Sequence, residues 1–410
     1  MKIAFLTDSF LPNIGGVESH VATLAHELAK RRHSVNIITE PVARTRTRST
    51  FLSSRRIRLV EVPGIREYVY GQNGFQGFIP QLYRVISRLD PDIVHVHNVA
   101  LCLALAHFVH ALSAKFVFTF HSSPVPEKNK IIGYFRDAGL KMEEGFARFI
   151  FSDLPYDRLV CASRFYRNWA LLSGARENRL ILVYHGVDTD RFRPMRNPEF
   201  RQSLGFRPGE FVVLSPVRMV ERKGILDLLK ALSLIKEPPI RLLIATSRSG
   251  MRLSFHRKFK EAIKRNGVAQ RVRVLYDRIH LDEMPRLYSV ADAVVLASHS
   301  EGFGLVAAEA MACRKPVIVS KGSGVAELVK NNRNGIIVNA HDPWTLAQSI
   351  VRVHQSTALR EKISAGGYRL ALKHFNSRLQ VRKIERVYQT ALNVPRNSFT
   401  KRSPRSRAVL

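Results

Sequence analysis

Short β-branched runs alternate with longer helical periods along nearly all of this 410-residue chain, which narrows the fold to parallel α/β sheets. KIAFLT (2–7) reads as a strand, and GGVESHVATLAHELAKR (15–31) as a helix with Val21, Leu24, Ala25 and Leu28 on one face. HSVNIITE (33–40), DIVHVH (92–97), KFVFTF (115–120), RLVCAS (158–163) and LILVY (180–184) continue the strands. After HGVDTDRFRP (185–194) the rhythm restarts with FVVLSPV, IRLLIAT, RVRVLY, DAVVLAS, KPVIVS and GIIVN. That Gly- and Pro-punctuated segment is the expected domain boundary. The expectation is two doubly wound domains, residues 1–190 and 191–374, facing a cleft. Ligands bind in such folds at the carboxyl ends of the strands.

Charge is the other outlying property. Lys and Arg number 65 against 33 Asp and Glu, a formal +32. Such a surface attracts polyanions: nucleic acid, anionic lipid or phosphorylated substrates. At 45% hydrophobic residues the chain is not globally disordered. Cys102, Cys161 and Cys313 are too few and too scattered for a disulfide framework or a cysteine-rich zinc site, which points to a reducing, cytoplasmic setting. The start KIAFLTDSF is too short for a signal-peptide core. The longest apolar stretch, residues 99–112, falls short of about 18 residues and contains two histidines, so a membrane span is not expected. Residues 44–58 carry six arginines and no acid and read as a solvated loop, and the chain from 394 onward reads as a disordered basic tail.

The stretch SEGFGLVAAEAMACRKPVIVS (300–320) carries the most chemistry. GFGL turns directly into a helix, so free backbone N–H groups and the positive helix end suit a phosphate. Glu309, about a turn inside, is placed for a ribose hydroxyl, and Glu301 at the mouth for sugar hydroxyls. Arg218 and Lys223, in PVRMVERKG (216–224), bracket a loop that enters the next helix and suit a diphosphate leaving group. Gly15 and Gly16, in FLPNIGGVESH (10–20), let backbone approach an anion or sugar ring; the spacing is not the G-x-G-x-x-G of dinucleotide oxidoreductases. His121, in FTFHSS, also ends a strand and could bond a substrate hydroxyl. His95 and His97 form an H-x-H, but without a carboxylate or cysteine nearby in sequence no metal site is expected. The Asp90-Pro-Asp92 triplet precedes a strand instead of ending one and is set aside.

In this order the motifs PNIGGVESH, DIVHVH, FTFHS, HGVD, VRMVERKG, EGFGLVAAEAMACRKPVIVS, GVAELV and NGIIV resemble the retaining glycosyltransferases of family 4. Within it, PNIGGVESHV with VRMVERKGILDLL is most similar to phosphatidylinositol N-acetylglucosaminyltransferase catalytic subunit-like proteins. The resemblance implies the GT-B fold, two Rossmann-like domains facing a cleft. It also implies metal-independent transfer of a hexose or N-acetylhexosamine, without cofactor, from a UDP- or GDP-linked nucleotide-sugar. The overall positive charge fits an acceptor that is a lipid-linked or other glycan at the cytoplasmic face of the membrane. Gly16, Arg218 and Lys223 would bind the donor diphosphate. Phe303, Gly304 and Leu305, through backbone, would bind the sugar and its proximal phosphate, and Glu309 the ribose. Glu301 and His121 would be the catalytic pair beside the sugar. A helix spanning 375–393 would cross back onto the first domain.

The chain departs from the family pattern at His185 (usually Asn), Arg314 (usually Gly) and Ser323-Gly324 (usually Gly-Gly). ATSRSGM (245–251) lacks the usual glycine-rich turn, and LYDR (275–278) replaces a Leu-Gly pair near the expected base site. Residues 250–267 read as a basic helix with Leu253, Phe259 and Ile263 as its apolar stripe, facing either the core or an anionic membrane. Two other readings compete: a nucleic-acid or polyanion-binding protein on the same fold, for which recognition motifs are missing, and a nucleotide-sugar epimerase, for which acids and bases around the sugar are missing.

Overall fold

The computed structural model describes residues 1–13, 15–41, 54–70, 75–121, 147–237, 239–248, 251–277 and 283–395. Two parallel sheets organise them. The first comprises β1 (Lys2–Leu6), β2 (Ser34–Thr39), β3 (Ile57–Glu61), β4 (Ile93–Val96), β5 (Lys115–Phe120), β6 (Arg158–Cys161) and β7 (Leu180–Leu182), in the order 3-2-1-4-5-6-7. The second comprises β8 (Phe211–Pro216), β9 (Ile240–Thr246), β10 (Val272–Tyr276), β11 (Ala293–Leu296), β12 (Val317–Ser320) and β13 (Ile336–Val338), in the order 10-9-8-11-12-13. Each order reverses once, between β1 and β4 and between β8 and β11. Those reversals open the crevices in which doubly wound sheets bind ligands.

The strands are buried almost throughout, as parallel strands covered on both faces must be. Helix Gly16–Lys30 buries Val21, Leu24, Ala25 and Leu28, the face its periodicity predicts. It shares one side of the first sheet with the last helix, Ser377–Leu392, through Val381, Ile384, Val387, Tyr388 and Ala391. Two strands of chain run side by side where the halves join: Val187 N–H donates to the Phe375 carbonyl at 2.6 Å, and Ser377 N–H to the Val187 carbonyl at 2.9 Å. A second tie crosses the cleft, where the Glu327 carboxylate accepts the Arg164 backbone N–H at 2.9 and 3.0 Å at the start of helix Arg164–Leu172.

Two readings change. Ile57 and Arg58 are not loop: they open β3, a strand at the edge of the first sheet that the arginines concealed. Residues 44–53 of the expected arginine loop lie outside the described residues, as does the tail from 396. In helix Leu253–Arg265 the buried side chains are Phe255, Phe259 and Ala262, while Leu253 is 81% exposed. Among the described residues no helix is long and apolar enough to cross a membrane, and the apolar stretch at 99–112 forms only the helix Val99–Ala106 and a short turn.

Candidate functional site

The chain-order reversal of the second sheet brings the loops after β8 and β11 together, and with them Arg218, Lys223 and Glu301. Lys223 Nζ is ion-paired with Glu301 Oε2, both side chains largely buried. Burial, then repulsion from Arg222 and Arg218, lowers the Lys223 pKa well below the ordinary lysine value. The glutamate offsets part of that cost, and a bound diphosphate would offset more. Arg218 stands exposed at the mouth, and its charge acts on Glu18 and Tyr70 of the opposite wall.

Glu301 is fixed through its backbone, its N–H donating to the Gly322 carbonyl at 2.8 Å and its carbonyl accepting from Gly324 N–H at 3.1 Å. Gly304, at φ +104°, turns this loop into helix Leu305–Ala312; a Cβ there would lie 2.9 Å from Leu296 Cδ2 in a backbone region side chains avoid. The first-turn N–H groups of that helix have no carbonyl ahead of them within it, an arrangement that suits an anion. Phe303 offers a ligand only backbone, because its ring is packed edge-on against His185 and Phe375 at 5.4 and 5.3 Å.

Glu309 is buried, and its carboxylate accepts the Tyr288 hydroxyl at 2.6 Å. Burial pushes its pKa up to about 7, against the opposing pull of Tyr288 and Arg191. A solvated helix glutamate would not be held this way.

The first domain supplies the facing wall. A Cβ on Gly302 would lie 2.6 Å from the His121 carbonyl and 3.0 Å from Tyr166 Cε2, so the Glu301–Gly304 loop rests directly on the end of β5. Gly16 is exposed at the start of its helix, and the atom nearest its Cβ position is Leu305 Cδ1, at 4.0 Å. The loop bearing Glu301, with Lys223 paired to it, and the helix start at Leu305 thus meet Gly16 and His121 of the first domain, while Glu309 lies buried against Tyr288. The His121 ring packs among His20, His97 and His185, and burial lowers its pKa well below the ordinary histidine value.

Sequence reasoning missed an acidic pair on this wall. The Asp8 carboxylate, just beyond β1, accepts Tyr70 Oη at 2.5 Å and Asn98 Nδ2 at 2.9 Å. Glu18, whose pKa burial raises, lies near Ser9, Asp8 and Arg218. The signal was available, since Asp8 follows a strand as Arg218 does. Of the H-x-H pair, His95 uses both ring nitrogens, on Tyr388 at 2.8 Å and Thr119 at 2.6 Å. Asp90 and Asp92 bind Lys2 at the opposite end of the sheet. The departures at Ser249, Gly250 and Arg278 lie outside the described residues.

Two Rossmann-like domains whose ligand crevices face each other define the GT-B class of glycosyltransferase. Residues 14–191 match the family model Glycosyltransferase Family 4, and residues 196–370 match Glycosyl transferases group 1. The chain is a glycosyltransferase, with a family 4 domain followed by a group 1 domain. It is 26% identical over 371 residues to an uncharacterized glycosyltransferase of Methanocaldococcus jannaschii, covering 88% of this chain and 91% of that protein. It is 33% identical over 180 residues to the D-inositol 3-phosphate glycosyltransferase of Mycobacterium marinum, covering 44% of this chain but only 38% of that protein. Among solved structures, Anabaena HepE in complex with UDP-glucose superposes with a TM-score of 0.78 at 22% identity, over 95% of this chain and 100% of that one.

Proposed function

We propose that the protein transfers a hexose or N-acetylhexosamine, with retention of anomeric configuration, from a UDP- or GDP-linked sugar to a lipid-linked or other glycan acceptor at the cytoplasmic membrane face. The observation that carries the reading is the buried Lys223–Glu301 pair beside the Leu305–Ala312 helix start, closed over by Gly16 and His121. Lys223 and Arg218 neutralise the departing diphosphate, which otherwise leaves with a large charge penalty. The helix start binds the proximal phosphate, Glu309 the ribose, and Glu301 and His121 the sugar. No nucleophile is required of the protein, because the donor's phosphate takes the acceptor proton on the face from which the nucleotide leaves. HepE, crystallised with UDP-glucose, supports a nucleotide-sugar as the donor class. The +32 charge supports an acceptor presented at an anionic surface.

The test is a panel of UDP- and GDP-sugars scored first by thermal shift, since a bound donor raises the melting temperature by mass action. The best donor is then followed for hydrolysis and transfer, with product anomer read by NMR. Loss of turnover in a folded Glu301→Ala variant and a retained anomer are expected. An inverted product overturns the mechanism. A protein that binds nucleic acid but no nucleotide-sugar is the polyanion-binding alternative.

A further inference from the structure

The first-domain wall contains a histidine cluster of which the proposed sugar transfer uses only His121. His20 projects from helix Gly16–Lys30, His97 follows β4 and His121 follows β5, so three separate elements place their imidazoles together. One ring nitrogen from each lies within 4.8 Å of the others. Three nitrogens bound to one cation at 2.0–2.1 Å lie at most about 4.2 Å apart, so a small side-chain adjustment closes the gap. His97 Nδ1 is 2.9 Å from His121 Nε2. The second observation is that His20 Nε2 and His97 Nε2 are both buried with no hydrogen-bond partner among the described residues. Both residues are nearly inaccessible, at 1% and 3% exposure. Buried polar atoms without a partner are uncommon because each forfeits its hydration, and two in one cluster point to a missing ligand.

We propose that His20, His97 and His121 form a binding site for one divalent cation of borderline softness, Zn²⁺ or its spectroscopic substitute Co²⁺. Three neutral imidazoles with a vacant fourth position are a donor set such cations take, and hard cations such as Mg²⁺ prefer oxygen. The cation links the Gly16–Lys30 helix to the ends of β4 and β5, and so braces the N-terminal wall of the cleft. No chemistry of transfer is asked of it; the site shares His121 with the proposed sugar site, and because Co²⁺ binding is read without any donor, the two readings are tested separately.

The experiment uses untagged, chelator-treated full-length protein titrated with CoCl₂ and followed by visible d–d absorption. Saturation at one Co²⁺ per chain, displacement by Zn²⁺ and a rise in melting temperature with Zn²⁺ are expected. His97→Gln and His20→Gln should each weaken Co²⁺ binding at least tenfold while leaving the far-ultraviolet circular dichroism of the fold unchanged. X-ray absorption on the wild-type Zn²⁺ form should show a shell of three imidazoles, a readout that survives if either variant fails to fold. No saturable binding by the wild type overturns the proposal. So does binding that persists in both variants, or that disappears instead in His341→Ala, which would put the metal at the exposed Asp227–His299–His341 group.

Discussion

Glu309 illustrates how one buried side chain couples binding to pH. Its carboxyl titrates near 4.5 in an unfolded chain and, by burial, near 7 in the folded one. The folded state therefore holds this proton more tightly. The stabilisation is complete below pH about 4.5 and is lost as pH rises through about 7. Wild-type melting temperature should fall relative to Glu309→Gln between pH 5 and pH 8, as read by differential scanning fluorimetry; a parallel pair of curves would mean that the carboxylate is already compensated. Glu301 acts differently, through its partner. Glu301→Gln should cut sugar turnover by about 10²–10³-fold, the usual effect of removing one group that stabilises developing charge. Lys223 would then be left buried without its ion pair, and the melting temperature should drop as well.

At the scale of elements, the site depends on two close approaches of backbone. Gly302 packs on the His121 carbonyl, so Gly302→Ala should separate the Glu301–Gly304 loop from the end of β5. The expected signature is lost donor-dependent turnover with circular dichroism unchanged, since the clash falls between the domains and not within either core. The last helix is the other element whose role is exposed to test. Tyr388 is fully buried and bonds His95 Nδ1, so Tyr388→Phe leaves a buried ring nitrogen without its partner and should cost about 1–3 kcal/mol in urea unfolding. This helix was expected from the family resemblance; the sequence pattern located the strands well because periodicity reports burial directly. It failed at β3, where Arg55, Arg56 and Arg58 hid an edge strand that needs only one covered face, and at Leu253, whose place in an apolar stripe did not bury it.

At the scale of the molecule, the excess of cations is a property of the surface. Only Arg218 and Lys223 of the 65 lysines and arginines belong to the proposed donor site. Interactions between exposed charges are screened beyond about 10 Å at 0.1 M salt. Binding to vesicles rich in anionic lipid should therefore be strong at low ionic strength, weaken as salt is added, and vanish on neutral vesicles in a sedimentation assay. Salt-independent binding, or equal binding to neutral vesicles, would remove charge as the cause.

The amino-acid sequence by itself determined the two-sheet architecture and the stretch 300–320, because strand and helix periods and a glycine turn are local properties. It also placed Arg218, Lys223, Glu301, Gly16 and His121 each at a strand end or helix start, and Glu309 about a turn inside a helix. Tertiary structure alone decided that Lys223 pairs with Glu301, that Glu309 bonds Tyr288, and that Glu18 lies near Asp8 and Arg218. The histidines show the difference most plainly. H-x-H suggests a chelating pair, yet His95 is satisfied by Tyr388 and Thr119, while His97 meets His20 and His121 from elements far away in the chain. Spacing along a strand fixes which side of the sheet a residue occupies. The neighbours it meets there depend on strand order, which is set by long-range packing.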